Sequence, residues 1–414
     1  MFASKERNLK EQLWTSKSRH LPNILKAAFI FGPNAAGKSN LIKALHFAKS
    51  FVLGEPNPLG KRTLHFKLCP ECSAKPSFFE FEFLVQGQIY RYGFELHGSG
   101  IVREWLYKAN STGEHLIFER SYDRQTKNAL RSGEKYPQYQ NDVFIHFLLK
   151  GTPENKLFLT ESIDRNLDDF REVYDWFRRI VVIYPDTELQ SYNLLLNNDF
   201  LLEEYRRLMK LCDLGIDGLL VKPVDADEVM NQIPLPIQNM FKTELLKNLT
   251  VKLSDRYTVS FQEDAKEAHL IQISHKMPLT GENVKFDIAE ESDGTNRLFD
   301  LIPILTLILQ DAIILVDELD RSLHPMISRS FIKAVFNANL KQQAQMIVTT
   351  HDATLLDVQL LRRDSIWFVR RNFKMESDLY SLNEFVTVRN DKALQKAYLA
   401  GLYGAVPMIK DERD

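Results

Sequence analysis

Three cysteines in 414 residues are too few for a disulfide framework, which excludes the small cross-linked secreted scaffolds. Charge of one sign is lacking as well. Fifty-three Lys and Arg against 55 Asp and Glu leave a formal net charge of −2, so no global electrostatic pull draws the chain to nucleic acid, although a local basic face is still allowed. The most apolar run, Leu298 to Val316, is broken by Asp300, Pro303, Gln310 and Asp311. It reads as a buried helix followed by a buried strand rather than a membrane span. The opening Met1-Phe-Ala-Ser-Lys-Glu-Arg has no apolar stretch of a signal peptide, and the expected location is the cytoplasm. Internal repeats, low-complexity tracts and sustained apolar heptads are absent, which argues against solenoids and long coiled coils. Cys69-Pro-Glu-Cys72 with His65 upstream offers three potential zinc ligands, but structural sites use four. Ordinary thiols in a loop are the expectation there.

What the chain does have is concentrated near its start. An apolar strand, Ala27 to Phe31, runs into Gly32-Pro33-Asn34-Ala35-Ala36-Gly37-Lys38-Ser39-Asn40, and Leu41-Ile-Lys-Ala-Leu-His-Phe follows at helical spacing. G-x-x-x-x-G-K-S between a strand and a helix is a phosphate-binding P-loop. Its glycines let backbone N–H groups face phosphate oxygens, and the helix N-terminus adds its dipole. Lys38 is placed to neutralise β- and γ-phosphate charge, and the Ser39 hydroxyl to ligate Mg²⁺. The expected ligand is a nucleoside triphosphate.

Strand-like segments follow the P-loop. Phe78 to Val85 alternates, turns at Gly87-Gln88, and continues as Ile89 to Leu96, a hairpin that Ile101 to Tyr107 extends. From about Ser111 to Asn248 the texture changes to charged, helix-periodic segments such as Asp164 to Arg179 and Asp199 to Leu214. Arg178-Arg179 and Arg206-Arg207 lie there. Solvated helix faces are the plainer reading of these pairs, and a nucleic-acid groove is the other. Strands return at Val251 to Leu253, Tyr257 to Phe261 and Leu270 to His275, followed by a second α/β unit.

That unit completes the chemistry. Ala312-Ile-Ile-Leu-Val-Asp317-Glu318 is a strand suited to burial on both faces and tipped by two acids. Asp317 is placed to hold Mg²⁺ and Glu318 to polarise the attacking water as general base. Upstream, Ser292-Asp-Gly294-Thr295 opens a helix, with Ser292 able to cap it and Gly294 allowing close backbone approach. Downstream, His351 ends the strand that begins at Gln345, where it can reach a γ-phosphate. Singly, these are a helix cap and a satisfied histidine. Their order and spacing after a P-loop favour the functional reading.

Taken together, the P-loop, Ser292-Asp-Gly-Thr, Asp317-Glu318, Leu319-Asp320 and His351 resemble the ABC-type ATPase heads of SMC, RecF and OLD proteins. The tail resembles a narrower group, the stand-alone RloA-like and abortive-infection ATPases of bacteria. It does so through Asp317-Glu-Leu-Asp-Arg-Ser-Leu-His324-Pro325, Thr350-His351-Asp-Ala-Thr-Leu-Leu-Asp357 with Arg362-Arg-Asp364-Ser-Ile-Trp367-Phe, and Lys396 to Pro407.

The resemblance implies an α/β fold: an ABC-type P-loop ATPase head with a two-lobed mixed sheet and a mostly helical insertion. One lobe, with the P-loop and antiparallel hairpins, would span 1–110, the insertion 111–249, and the lobe with signature, Walker B and switch histidine 250–414. It further implies a composite site, in which the P-loop and Asp317/Glu318 of one subunit face Ser292 and Gly294 of another across ATP. Asp320 would sit at that interface, and His351 would sense the γ-phosphate. A homodimer or larger homo-oligomer follows.

Three departures stand out. Relatives carry a strand before the counterpart of Ala3-Ser-Lys-Glu, so the start lies upstream or a sheet edge is exposed. Leu402 occupies a position where they commonly have arginine. Gln86, Gln88 and Gln138 are the candidates for a glutamine loop, and each is more often a surface residue.

By analogy with these relatives, the function is an ATP-driven regulator in bacterial anti-phage defence that controls a separate effector such as a nuclease or toxin. The chain has no nuclease signature of its own, and its tail after His351 is too short for an appended nuclease domain. The alternative is a RecF- or SMC-like repair or recombination ATPase that binds duplex DNA, which the near-neutral charge disfavours. A transporter motor would need a membrane partner, and the Ser292-Asp-Gly-Thr signature speaks against it.

Overall fold

Uncharged runs such as Ala27–Phe31 (AAFIF) and Ile313–Val316 (IILV) are accommodated best between two apolar layers, and both are wholly buried inner strands of one sheet. The computed structural model describes residues 2–6, 8–15, 21–56, 65–98, 100–110, 113–123, 127–136, 139, 142–187, 199–211, 215–225, 231, 250–252, 257–261, 266–287, 290–385 and 394–406. The central sheet has six strands in the order Ser377–Ser381, Ile366–Arg371, Ala27–Phe31, Gln345–Thr350, Ile313–Val316, Ile180–Ile183. All neighbours pair in parallel except Ser377–Ser381, which runs antiparallel to Ile366–Arg371.

Strand alternation divides the apolar residues between two cores. Phe29, Phe31, Ile314, Val316 and Val348 face one of them. There they meet the helices Asp199–Leu211, Asp293–Leu301, Ile304–Leu309 and Pro325–Ala338 through residues such as Tyr205, Phe299, Ile304 and Phe331. Ile180, Ile313 and Leu315 face the other core, with Ile42, Phe47 and Val52 of the P-loop helix Lys38–Leu53.

The second core is closed by a five-stranded antiparallel meander: Ser77–Val85, Gln88–His97, Gly100–Asn110, Gly113–Asp123 and Lys127–Ser132. Phe79, Phe81 and Phe83 point inward onto Phe47, Phe94, Trp176 and Phe177. The expected hairpin is present, and Gln86 and Gly87 have φ of 49° and 79°, as a two-residue primed turn requires. A fully buried ion pair crosses the meander: Glu104 lies 3.7 Å from Arg120. Glu104 also accepts from Tyr92 Oη and from the N–H groups of Phe158 and Leu159, so it caps the helix Phe158–Asp164 from outside its own sequence.

A third sheet is built around Lys266–Lys276. Ile216–Val224 pairs along one edge, while Tyr257–Phe261 and Asn283–Asp287 share the other. Thr250–Lys252 extends it beyond Tyr257–Phe261, and Ile216, Leu219 and Ile273 join the first core.

The span 111–249, expected as a mostly helical insertion, holds both kinds of element. Helices Val143–Gly151, Phe158–Asp164, Arg171–Arg178 and Asp199–Leu211 alternate with strands Gly113–Asp123, Lys127–Ser132, Ile180–Ile183 and Ile216–Val224. The boundary at 110/111 falls inside the meander, and the one at 249/250 falls inside the third sheet. The strand Gly113–Asp123 reads as polar because its charges serve cross-strand pairs, Glu119 with Arg103 on one side and Arg131 on the other.

Two further expectations shift. Cys69 and Cys72, expected as thiols, are joined as a disulfide. A 3₁₀ turn brings their Cα atoms to 5.3 Å, inside the bridging range. Three of the four paired basic side chains have partners: Arg178 reaches Asp175 at 3.4 Å, Arg179 donates to Asp311 O, and Arg207 pairs with Glu204, while Arg206 is exposed. The beginning of the chain is tied down by buried Arg362, which pairs with Asp364 and donates to the carbonyls of Glu6 and Asn8, while Ser4 N and Oγ donate to Asp364. Burial opposes the Asp364 charge, but Arg362 and Ser4 together hold its carboxyl below the usual value. Among the described residues no helix is long and apolar enough to cross a membrane.

Candidate nucleotide site

The P-loop strand, the acid-tipped strand and the histidine strand all run parallel, so their C-terminal ends meet at one edge of the sheet. That edge is where open α/β sheets bind ligands. Gly37, with φ of 111°, turns the loop into the helix Lys38–Leu53, and a Cβ there would meet Ser377 Oγ at 2.1 Å. Beyond it lies a cavity of about 390 Å³ lined by Asn34, Ala35, Gly37, Lys38, Ser39, Asn40, Glu318, His351 and Arg371. Gly32, Pro33 and Ala36 contribute backbone instead. Lys38 Nζ donates to Gly32 O (2.8 Å) and Pro33 O (3.1 Å), and Ala36 O accepts from Ser377 Oγ.

Lys38 Nζ also lies 3.2 Å from His351 Nδ1. With the ammonium as donor, Nδ1 accepts, and Nε2 lies 3.9 Å from Glu318 Oε1. Burial lowers the Lys38 pKa to about 8, although Glu318, Asp320 and Asp317 pull the other way. A cation, an imidazole and a carboxylate therefore stand in line across the cavity.

Glu318 sits in the left-handed region at φ 49°, an uncommon conformation for glutamate that turns the chain out of the strand. Asp317 is buried behind it, and its Oδ1 accepts from Thr349 Oγ1 at 2.6 Å. The same hydroxyl accepts from the Glu318 N–H at 2.9 Å. Asp320 takes the backbone N–H of His351 at 3.1 and 3.2 Å, so it positions the histidine within its own chain. Ser39 lines the cavity and Asp317 lies buried one residue before the lining Glu318; hydroxyl and carboxylate oxygens are the donor type that Mg²⁺ takes.

Ser292 caps Asp293–Leu301 as expected, accepting from Thr295 N at 3.2 Å. Its surroundings differ from those of the P-loop residues: Ser292 and Asp293 are exposed, and neither Ser292 nor Gly294 lines the cavity. A Cβ on Gly294 would lie 2.8 Å from Ser322 O, so the close approach it permits is to the turn after Asp320.

Of the glutamine candidates, Gln88 donates to Ile89 O and Ala109 O, and Gln138 lies outside the described residues. Gln86 lines a separate cavity of about 300 Å³ at the opposite strand ends. The two cations there, Lys26 and Arg179, are bound to the carbonyls of Leu340 and Asp311. Thr349 and Arg371 are site residues that sequence motifs gave no reason to choose. For Thr349 the signal was latent in strand register, because Val316 pairs with Val348 and Asp317 then falls beside Thr349.

Comparison with known proteins adds a family. The sequence matches the family described as "AAA domain, putative AbiEii toxin, Type IV TA system" over residues 27–205 and 224–357. No curated protein matches. Among solved structures, the SMC head domain from Thermotoga maritima is similar at 16% identity and a TM-score of 0.34, over 89% of this chain and 96% of that one. An SMC head bound to the C-terminal winged-helix domain of ScpA is similar at 12% identity and a TM-score of 0.35, over 87% and 94%. With the family match spanning well over half of its residues, the chain belongs to this AAA-domain family.

Proposed function

We propose that the chain binds and hydrolyses ATP with Mg²⁺, that two copies complete each site, and that the ATP-bound dimer controls a separate effector, a nuclease or toxin, in bacterial anti-phage defence. The observation that carries the reading is the cavity itself: loop backbone, Lys38, Ser39, Glu318 and His351 converge on it, while the exposed Ser292 and the half-buried Gly294 stay outside. Loop N–H groups and Lys38 bind the β- and γ-phosphates, and Glu318 takes a proton from the attacking water. His351, held by Asp320 and Lys38, contacts the γ-phosphate. Mg²⁺, held by Ser39 and Asp317, would neutralise phosphate charge. Ser292 and the helix N-terminus behind it reach the same phosphate from a second copy, so ATP joins the subunits and its hydrolysis frees them.

The effector role draws its support from family membership. It is tested with tagged Glu318→Gln isolated from its native cell in the presence of ATP. A stoichiometric nuclease or toxin is the expected companion. Duplex DNA with no protein partner would replace this reading with a repair-type ATPase. Glu318→Gln is expected to keep ATP binding and to lose turnover, and wild-type hydrolysis in that variant would remove Glu318 as the base.

A further inference from the structure

Arg371 ends the strand Ile366–Arg371 at the same sheet edge as the P-loop and lines the nucleotide cavity beside Lys38, Glu318 and His351. Its neighbour Arg370 serves the fold: the guanidinium lies 5.0 Å from the Tyr380 ring centroid and 4.0 Å from the Asp378 carboxylate. Arg371 points to the other face of the strand, and among the described residues no carboxylate pairs with it.

Its backbone is fixed to the loop. Val369 O packs against Gly32, 2.4 Å from where a Cβ would be, and Ser377, directly opposite Arg371 in register, donates Oγ to Ala36 O at 2.7 Å. A strand-end arginine is ordinarily a solvated residue. This one is distinguished by being unpaired, tied to the P-loop through the adjacent strand position, and turned into a cavity whose other lining suits phosphate.

We propose that Arg371 is a second cationic ligand for the phosphates of the bound nucleotide, alongside Lys38. This rests on the ATP-binding reading above. Guanidinium presents a planar set of donors that matches two phosphate oxygens at once, which the Lys38 ammonium cannot do.

The test measures binding of a fluorescent ATP analogue to wild type, Arg371→Ala, Arg371→Lys, Arg370→Ala and Lys38→Ala, with a melting curve for each. Arg371→Ala is expected to weaken binding by about tenfold or more at an unchanged melting temperature, since a charge-assisted bond is lost. Arg371→Lys is expected to recover part of the loss, and Arg370→Ala to bind as wild type does. Wild-type affinity in Arg371→Ala, with binding lost in Lys38→Ala, would overturn this assignment and leave ATP binding standing. A wild-type protein that binds no analogue would overturn both.

Discussion

Burial sets the Lys38 ammonium at a pKa of about 8 in the free protein, whereas an unfolded lysine titrates near ~10.4. Between these values the unfolded chain binds more protons. The burial penalty is therefore fully present below about pH 8 and is relieved as pH rises toward ~10.4. Nucleotide phosphate reverses the balance by favouring the charged form. ATP affinity is expected to hold steady up to about pH 8 and then to fall by up to about tenfold per pH unit, with proton uptake on binding. Calorimetry at about pH 8.5 in two buffers of different ionisation enthalpy reads that uptake directly. Affinity independent of pH from neutrality to about pH 9, with no uptake, would show that Lys38 is already fully charged before nucleotide arrives. Thr349 makes a second prediction. Its hydroxyl donates to Asp317 and accepts from the Glu318 N–H, so Thr349→Val keeps the volume and releases the Asp317 carboxylate and the Glu318 backbone. Phosphate release is expected to slow by about 10- to 100-fold with the fold intact, the usual effect of losing such a support. An unchanged rate would show that the acids hold their positions without it.

Elements were legible wherever burial was written in the residues themselves. Ala27–Phe31 and Ile313–Val316 are apolar throughout, and Ser77–Val85 alternates, so strand and facing both follow from sequence. Gly113–Asp123 was not legible, because its charges serve partners on the neighbouring strand. Ser377 and Arg371 were illegible for another reason: they reach the P-loop from 341 residues away in the case of Ser377, with no local pattern to announce it. The same holds for Glu104, a charge inside the meander whose purpose appears only when Arg120 and the start of Phe158–Asp164 are placed around it. Glu104→Leu leaves the buried Arg120 guanidinium with Asn128 and the carbonyls of Pro153 and Lys156 but no counter-charge, and leaves two helix N–H groups without an acceptor. A loss of about 3–5 kcal/mol is expected in urea unfolding, and Arg120→Met in the same chain is expected to return much of it. Stability unaffected by the single change would mean that the pair is solvated rather than structural.

For the molecule as a whole, the separation of the signature residues from the cavity makes each copy half of an enzyme under the proposed reading. Lys38→Ala damages one half and Ser292→Arg the other. Each variant alone is expected to be inactive, and a mixture of the two is expected to regain turnover, because one of the two sites in a mixed dimer then has both halves intact. Continued silence of the mixture would place the complete site within a single chain. The order of strands in the central sheet also governs how the protein comes into being. Ala27–Phe31, which carries the P-loop, pairs with Gln345–Thr350 and Ile366–Arg371, both synthesised about 300 residues later. The meander strands, by contrast, pair in the order in which they are made. At about 5–20 residues per second, the P-loop strand waits on the ribosome for roughly 15–60 s before either neighbour exists, an exposed apolar segment in need of shelter. The cavity beside the P-loop therefore takes shape only after residues 345–371 have been made.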